Sequence, residues 1–370
     1  MTLSDNVWLE LFPEPPQGDP RHGRVMREVR KYGKPLLLLP GGSRAAAAGM
    51  GLYPAQTGFA RLAKKLMTFC FAGGFFAFAR NVNLSFDDTD PFQRFLGKLV
   101  GSDDIPPIAA LAGNPAAEGR RFMVLVYDDH ERPKMVVKTG LSTSAHALIE
   151  HEQSLLRQVE TLKAQGIPKN RAQHSDDRVR CFATDYVTGE SPAADNLSPL
   201  PSLLTTWIHP TEHISLRQSP DWLRLLETAT DHPAVVRAAK TISSLEVAAT
   251  LQHGDFAPWN VKVTRNGNWV ILDWERGCAR GLPAWDWFHY LVQSSILVLR
   301  LPTASILSRI ESLLASAEFR AYTLRVGLAG HERSWLQLYL LYVILVLRPN
   351  EGLAQNSELL EAFRIESSQT

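Results

Sequence analysis

The stretch that decides the fold is "LQHGDFAPWN", residues 251–260, read together with "ILDWE" at 271–275. Asp255, Asn260 and Asp273 sit there among Phe256, Trp259, Ile271 and Trp274. Acidic groups resist burial unless something replaces the water they lose. The segment between them, "WNVKVTRNGNWVILDW", has two short β-rich runs around Asn266-Gly267, a pair typical of a two-residue hairpin turn. A hairpin brings its ends together, so Asn260 and Asp273 are expected side by side, with Asp255 in the loop before them. Two carboxylates and an amide oxygen at one mouth suit a hard cation such as Mg²⁺. Asp255 remains to accept a proton from an incoming hydroxyl. Metal on phosphates, a carboxylate for the nucleophile and a lysine on the nucleotide are the parts phosphoryl transfer needs.

Upstream, "RRFMVLVYD" and "KMVVKTG" read as strands of a hairpin, followed by a helix over "SAHALIEHEQSLLRQVETLKAQG". Leu148, Leu155, Leu156, Val159 and Leu162 mark its apolar face, and Gly166 and Pro168 end it. Glu152 falls within that stripe, where a carboxylate needs a cation. Lys138, on the preceding strand between Val136–Val137 and Thr139, offers one. Downstream, "SPDWLRLLETAT", "AVVRAAKTISSLEVAATLQ", "AWDWFHYLVQSSILVL" and "ERSWLQLYLLYVILVL" read as helices.

At these residues the chain resembles the aminoglycoside phosphotransferase and choline kinase family. Its pattern of His-Gly-Asp, four residues, Asn, then a hairpin ending in apolar-apolar-Asp is met by His253, Gly254, Asp255, Asn260, Ile271, Leu272 and Asp273. The resemblance covers about 105 to 350. It implies an α+β, bilobal protein-kinase-like fold: a small β-rich N-lobe, a helical C-lobe and an extra N-terminal region. It implies Asp255 as catalytic base, Asn260 and Asp273 as Mg²⁺ ligands, and His253 as a brace of the loop. Lys138 is similar to the lysine on the nucleotide phosphates, and Glu152 to its partner. "CFATDYVTG" resembles the inter-lobe linker, placing Asp185, Tyr186 and Val187 near the base of ATP or GTP. Asp286, in "GLPAWDW", resembles a residue that bonds back to the catalytic loop. The phosphate-covering loop is expected within "LAGNPAAEGRRF", 111–122, where only Gly113 and Gly119 are glycines.

The rest of the chain sets the frame. A length of 370 residues predicts more than one domain. The expected division is 1–105 as an N-terminal extension of unknown role, 106–187 as the nucleotide-binding N-lobe, and 188–370 as the C-lobe. A formal net charge of +1 gives no bulk attraction to nucleic acid. Three scattered cysteines and an acidic, Pro-rich start fit a cytoplasmic chain, not a secreted disulfide scaffold. "LMTFCFAGGFFAFA", 66–79, is too short to span a bilayer. A buried element is the favoured reading there, and membrane-surface contact through 61–79 the lesser one. "SFDDTD", 85–90, reads as a capped turn. The expected function is transfer of a nucleotide γ-phosphate to the hydroxyl of a small molecule, namely a sugar, amino sugar or amino alcohol. The alternative is a catalytically silent nucleotide-binding scaffold that docks a protein or a membrane surface.

Overall fold

The computed structural model describes residues 7–14, 23–53, 58–114, 119–347 and 359. Part of the Pro-rich start (15–22), the middle of the expected phosphate-covering loop (115–118) and most of the C-terminal tail lie outside the described residues. The chain forms two compact units: residues 1–157 with 168–187, and residues 158–167 with 188–370.

The first unit is built on one eight-stranded sheet. Its strands are β1 (Gly23–Lys31), β2 (Lys34–Leu39), β3 (Arg80–Ser85), β4 (Ile108–Ala112), β5 (Arg121–Tyr127), β6 (Pro133–Gly140), β7 (Asn170–Ser175) and β8 (Arg180–Asp185). They run β3-β1-β2-β4-β5-β6-β8-β7, with every neighbouring pair antiparallel. The described strands of the first 105 residues, β1–β3, therefore belong to the same sheet as β4–β8. The reason lies in "KPLLLL": Leu37 and Leu39 enter the core on one face of the sheet, Leu38 the core on the other. A strand apolar on both faces belongs in a sheet interior, and β2 pairs with β1 on one edge and β4 on the other.

On one face, α1 (Val7–Leu11) and α4 (Pro91–Lys98) contribute Trp8, Leu11, Phe92 and Leu96 to the core. Asp90 caps α4, accepting from the Gln93 N–H at 2.9 Å, as the capped-turn reading of 85–90 expects. On the other face lie α2 (Ser43–Gly49) and α3 (Gly58–Ala72). The segment 66–79 is not buried as expected: Phe71 is, but Leu66, Phe69, Phe75 and Phe78 are exposed. The helix α5 (Thr143–Val159) follows β6 and buries Ile149, Glu152, Leu155, Leu156 and Val159.

The second unit is mainly helical: α6 (Leu200–Thr205), α7 (Pro220–Ala229), α8 (Pro233–Thr241), α9 (Trp285–Gln293), α10 (Thr303–Ala315), α11 (Ala317–Arg325) and α12 (Glu332–Tyr342). Trp207, Trp222 and Trp335 are core residues, as expected. One expected helix ends early. "AVVRAAKTISSLEVAATLQ" breaks after Thr241, and Glu246–Gln252 is a strand, β10, between β9 (Ile208–Ser215) and β13 (Cys278–Gly281). Six successive buried residues, Val247–Gln252, carry no periodicity to separate strand from helix. A two-stranded hairpin, β11 (Val261–Val263) with β12 (Trp269–Ile271), sits beside this sheet in sequence. Among the described residues no helix is long and apolar enough to cross a membrane.

Candidate active site

The loop 253–260 is fixed from below by α9. Asp286, in the first turn of that helix, accepts from the His253 N–H at 2.6 Å and the Gly254 N–H at 3.0 Å. Burial pushes its carboxyl up to about 6, against those two donors, which favour the ionised form. Gly254 has φ +78°, and a Cβ there would stand 2.7 Å from the Arg276 carbonyl oxygen. The glycine of the motif is thus a backbone requirement.

His253 braces the loop, as the resemblance implies. Its ring packs edge-on to Trp274 with centroids 4.6 Å apart. Nδ1 accepts the Asp255 N–H at 3.2 Å, and Nε2 lies 2.9 Å from the Leu272 carbonyl oxygen. Those partners require neutral imidazole with its proton on Nε2. Burial drives its pKa down to about 4, outweighing the Leu272 carbonyl and the charges of Asp255 and Asp273. An unfolded histidine titrates near 6.5. Between the two values the unfolded chain binds the extra proton, so this contribution is complete above about pH 6.5 and is lost as pH falls toward 4. The expected loss is on the order of 3 kcal/mol. Urea midpoints across that window should fall more for the natural chain than for His253→Asn, whose amide does not titrate. Parallel curves would remove His253 as the cause.

The hairpin differs from the expected two-residue turn. Gly267 N–H donates to the Thr264 carbonyl at 2.9 Å and Thr264 N–H to the Asn268 carbonyl at 2.9 Å, with Gly267 at φ +78°. This is a three-residue loop with a left-handed glycine. The consequence for the strand ends is as expected. Val261 pairs with Ile271, and the Leu272 N–H donates to the Asn260 carbonyl at 2.7 Å. Asp273, the next residue, has φ +68°. A non-glycine residue in the left-handed region costs on the order of 1–3 kcal/mol and is held only where its surroundings impose it.

Asp255 is held on both oxygens. Oδ2 accepts from Asn260 Nδ2 at 2.9 Å, and Oδ1 lies 3.2 Å from His289 Nε2. Asn260 Nδ2 also donates to the Asp255 carbonyl at 2.9 Å. Burial acts to raise the Asp255 carboxyl, but the hydrogen bond and charge of His289, with His253 and Arg276, leave it below the usual carboxylate range. His289 Nδ1 in turn meets the Tyr339 hydroxyl at 3.1 Å. A chain Tyr339–His289–Asp255 results, with His289 and Tyr339 both buried. The sequence reading missed these two residues. His289 stands one helical turn after Asp286, so "DWFH" holds a spacing that puts both on one face of α9.

The donor set fits Mg²⁺. Asn260 spends its amide nitrogen on Asp255, so its amide oxygen is the donor it could offer a cation, and the hairpin sets it next to Asp273 along the backbone. Hard oxygen donors in small number are what Mg²⁺ takes from a protein. Among the described residues no cage of three or more His, Cys, Asp or Glu side chains gathers.

In the sheet unit, Lys138 Nζ lies 2.5 Å from Glu152 Oε2, and both residues are buried. At the linker, Asp185 accepts from Arg171 at 2.8 and 2.6 Å. The Tyr186 N–H is taken by the Lys134 carbonyl at 2.9 Å.

The chain is α+β, with an antiparallel sheet unit and a helical unit that carries this loop and hairpin. Residues 113–298 match the model of the phosphotransferase enzyme family, and the chain belongs to that family. Membership of that family makes it a phosphotransferase. The matched span starts just after β4, so β1–β4 and α1–α4 lie outside it. The chain is similar to the GDP complex of an aminoglycoside 2′-phosphotransferase (15% identity, 69% of this chain and 93% of that one, TM-score 0.44). It is also similar to a macrolide 2′-phosphotransferase from Brachybacterium faecium (16%, 69% and 91%, TM-score 0.40). A third is an aminoglycoside phosphotransferase from Streptomyces rimosus (12%, 68% and 95%, TM-score 0.42). No curated protein matches the chain.

Proposed function

We infer that this chain moves the γ-phosphoryl group of ATP or GTP to a hydroxyl of a sugar, amino sugar or amino alcohol, in the cytoplasm. The observation that carries this reading is the Asp255 carboxylate, held ionised between Asn260 and His289. A low-pKa carboxylate with both oxygens fixed orients a hydroxyl and takes its proton late, as the phosphoryl group arrives. We assign Asn260 and Asp273 to Mg²⁺, which when bound neutralises charge on the phosphates. Lys138, positioned by Glu152, is assigned to the nucleotide phosphates. Asp185, Tyr186 and Val187 are assigned to the nucleobase, the Tyr186 N–H itself being taken by the Lys134 carbonyl.

The silent-scaffold alternative would need no ionised base, so a direct assay separates the two. Radiolabelled γ-phosphate from ATP or GTP is offered with a panel of sugars, amino sugars and amino alcohols. Transfer is expected with Mg²⁺, and is expected to be lost with Asp273→Ala. Metal-dependent nucleotide binding unchanged in Asp273→Ala would sink the metal assignment. No transfer or nucleotide hydrolysis by the natural chain would favour the scaffold.

A further inference from the structure

Helix α3 has apolar residues on two opposite sides. Phe71 is fully buried and Met67 is packed against the same core. Lys64 turns the same way, donating to the Tyr53 carbonyl at 2.7 Å and the Gly51 carbonyl at 3.3 Å. On the far side Leu62, Leu66 and Phe69 are 67%, 58% and 79% exposed. Their spacing of i, i+4 and i+7 sets them on one stripe. The chain turns at Gly73-Gly74 and adds Phe75 and Phe78, exposed and edge-to-face with centroids 6.5 Å apart. Phe76, between them, points inward and stacks on Phe71 at 5.4 Å. Half of the ten large exposed hydrophobics of the described chain fall within these 17 residues. Scattered single residues need no explanation, but a cluster does.

The charge around this stripe is equally uneven. Between Glu28 and Asp87 the sequence has eight lysines and arginines and no acidic residue. The rest of the chain has 31 basic and 38 acidic residues, a net −7. Glu28 itself is buried, bonded to the Trp8 indole N–H at 2.9 Å and paired with Arg30. Lys65 is exposed beside the stripe, and Arg80 is exposed two residues beyond Phe78. At the tip of the β1–β2 hairpin, in the Tyr32-Gly33 turn between Lys31 and Lys34, Tyr32 is 93% exposed. Lys31 Nζ also sits 6.0 Å from the ring of Tyr53, the residue that holds Lys64. Hairpin tip and helix therefore share one neighbourhood.

We propose that this face of the sheet unit docks on an anionic lipid bilayer. Leu62, Leu66, Phe69, Phe75 and Phe78 enter the headgroup boundary, and the surrounding cations meet lipid phosphates. A projecting amphipathic stripe with a basic border suits a fluid, negatively charged surface. A second copy of the chain fits poorly, because a two-fold interface would set this basic face against itself.

The test uses the full chain and phosphatidylcholine vesicles with or without phosphatidylglycerol. Co-sedimentation is expected with the mixed vesicles, weak binding to the neutral ones, and loss of binding as salt is raised. Lys65→Glu and Arg80→Glu should each lower the partition constant about fivefold or more. Leu66→Ser and Phe69→Ser should each lower it roughly tenfold. All four positions are exposed, so thermal melts should match the natural chain. Absence of binding to anionic vesicles overturns the proposal and leaves the face to a protein partner. Binding unmoved by either pair of substitutions also overturns it. So does a dimer in sedimentation velocity that Phe69→Ser dissolves, since that assigns the face to a second copy.

Discussion

Asp255→Asn is expected to lose turnover by a factor on the order of 10² to 10⁴ while nucleotide affinity stays close to that of the natural chain. The geometry explains why the loop should survive. Asp255 accepts from Asn260 Nδ2 on one oxygen and meets His289 Nε2 on the other. An asparagine keeps its amide oxygen toward Asn260 and presents an N–H₂ to His289. His289 can adopt the other tautomer, accepting at Nε2 and donating from Nδ1 to the Tyr339 hydroxyl, which lies 3.1 Å away. Every hydrogen bond is then kept, and only the proton-accepting capacity is gone. Nucleotide Kd and single-turnover transfer on the same purified variant make the measurement, with hydrolysis to water as readout until an acceptor is found. An effect confined to KM would reduce Asp255 to a binding residue. Undiminished turnover would place the base elsewhere.

The catalytic loop and hairpin were legible because their geometry is local. Fourteen residues, Asn260 to Asp273, hold both strand ends, and a turn signal at Asn266-Gly267 is enough to bring Asn260 beside Asp273 even though the turn has three residues and not two. What depends on distant chain was not legible. "KPLLLL" reads as a strand, but its partner Leu111 lies more than seventy residues downstream of Leu37. Joining β1–β3 to the sheet of β4–β8 therefore needed the structure. The strand Glu246–Gln252 has no period because both its faces are buried, and only β9 and β13 distinguish it from a helix. His289 lay in plain view on an apolar helix. Its meaning comes from Asp255 on one side and Tyr339 on the other, one reached through a loop and one across a helix contact. The exposure of Leu66 and Phe69 was misread for the same reason. Composition cannot say which side of an amphipathic helix has a neighbour.

Glu152→Ala is expected to destabilise the sheet unit by about 3–5 kcal/mol, because it removes the carboxylate that lies 2.5 Å from the buried Lys138 ammonium. Lys138 and Glu152 are only 7% and 3% exposed, with Nζ 2.5 Å from Oε2. Lys138 sits mid-strand, opposite Met123 on β5 and Phe182 on β8, so its ammonium cannot swing into water without disturbing the sheet. Glu152→Gln should cost less, since the amide oxygen still accepts from Nζ. Such pairs are poor evidence of stability in themselves, because apolar replacements of similar size often do as well. That property separates structure from function. Lys138→Met combined with Glu152→Leu should recover most of the stability lost in Glu152→Ala, as read by urea unfolding. If Lys138 holds the nucleotide phosphates, the double variant should fold and still fail to bind ATP or GTP with Mg²⁺. A folded double variant with natural nucleotide affinity would make the pair a packing device. A folded variant without it would show why a buried charge is retained in the middle of a sheet that has no structural need for it.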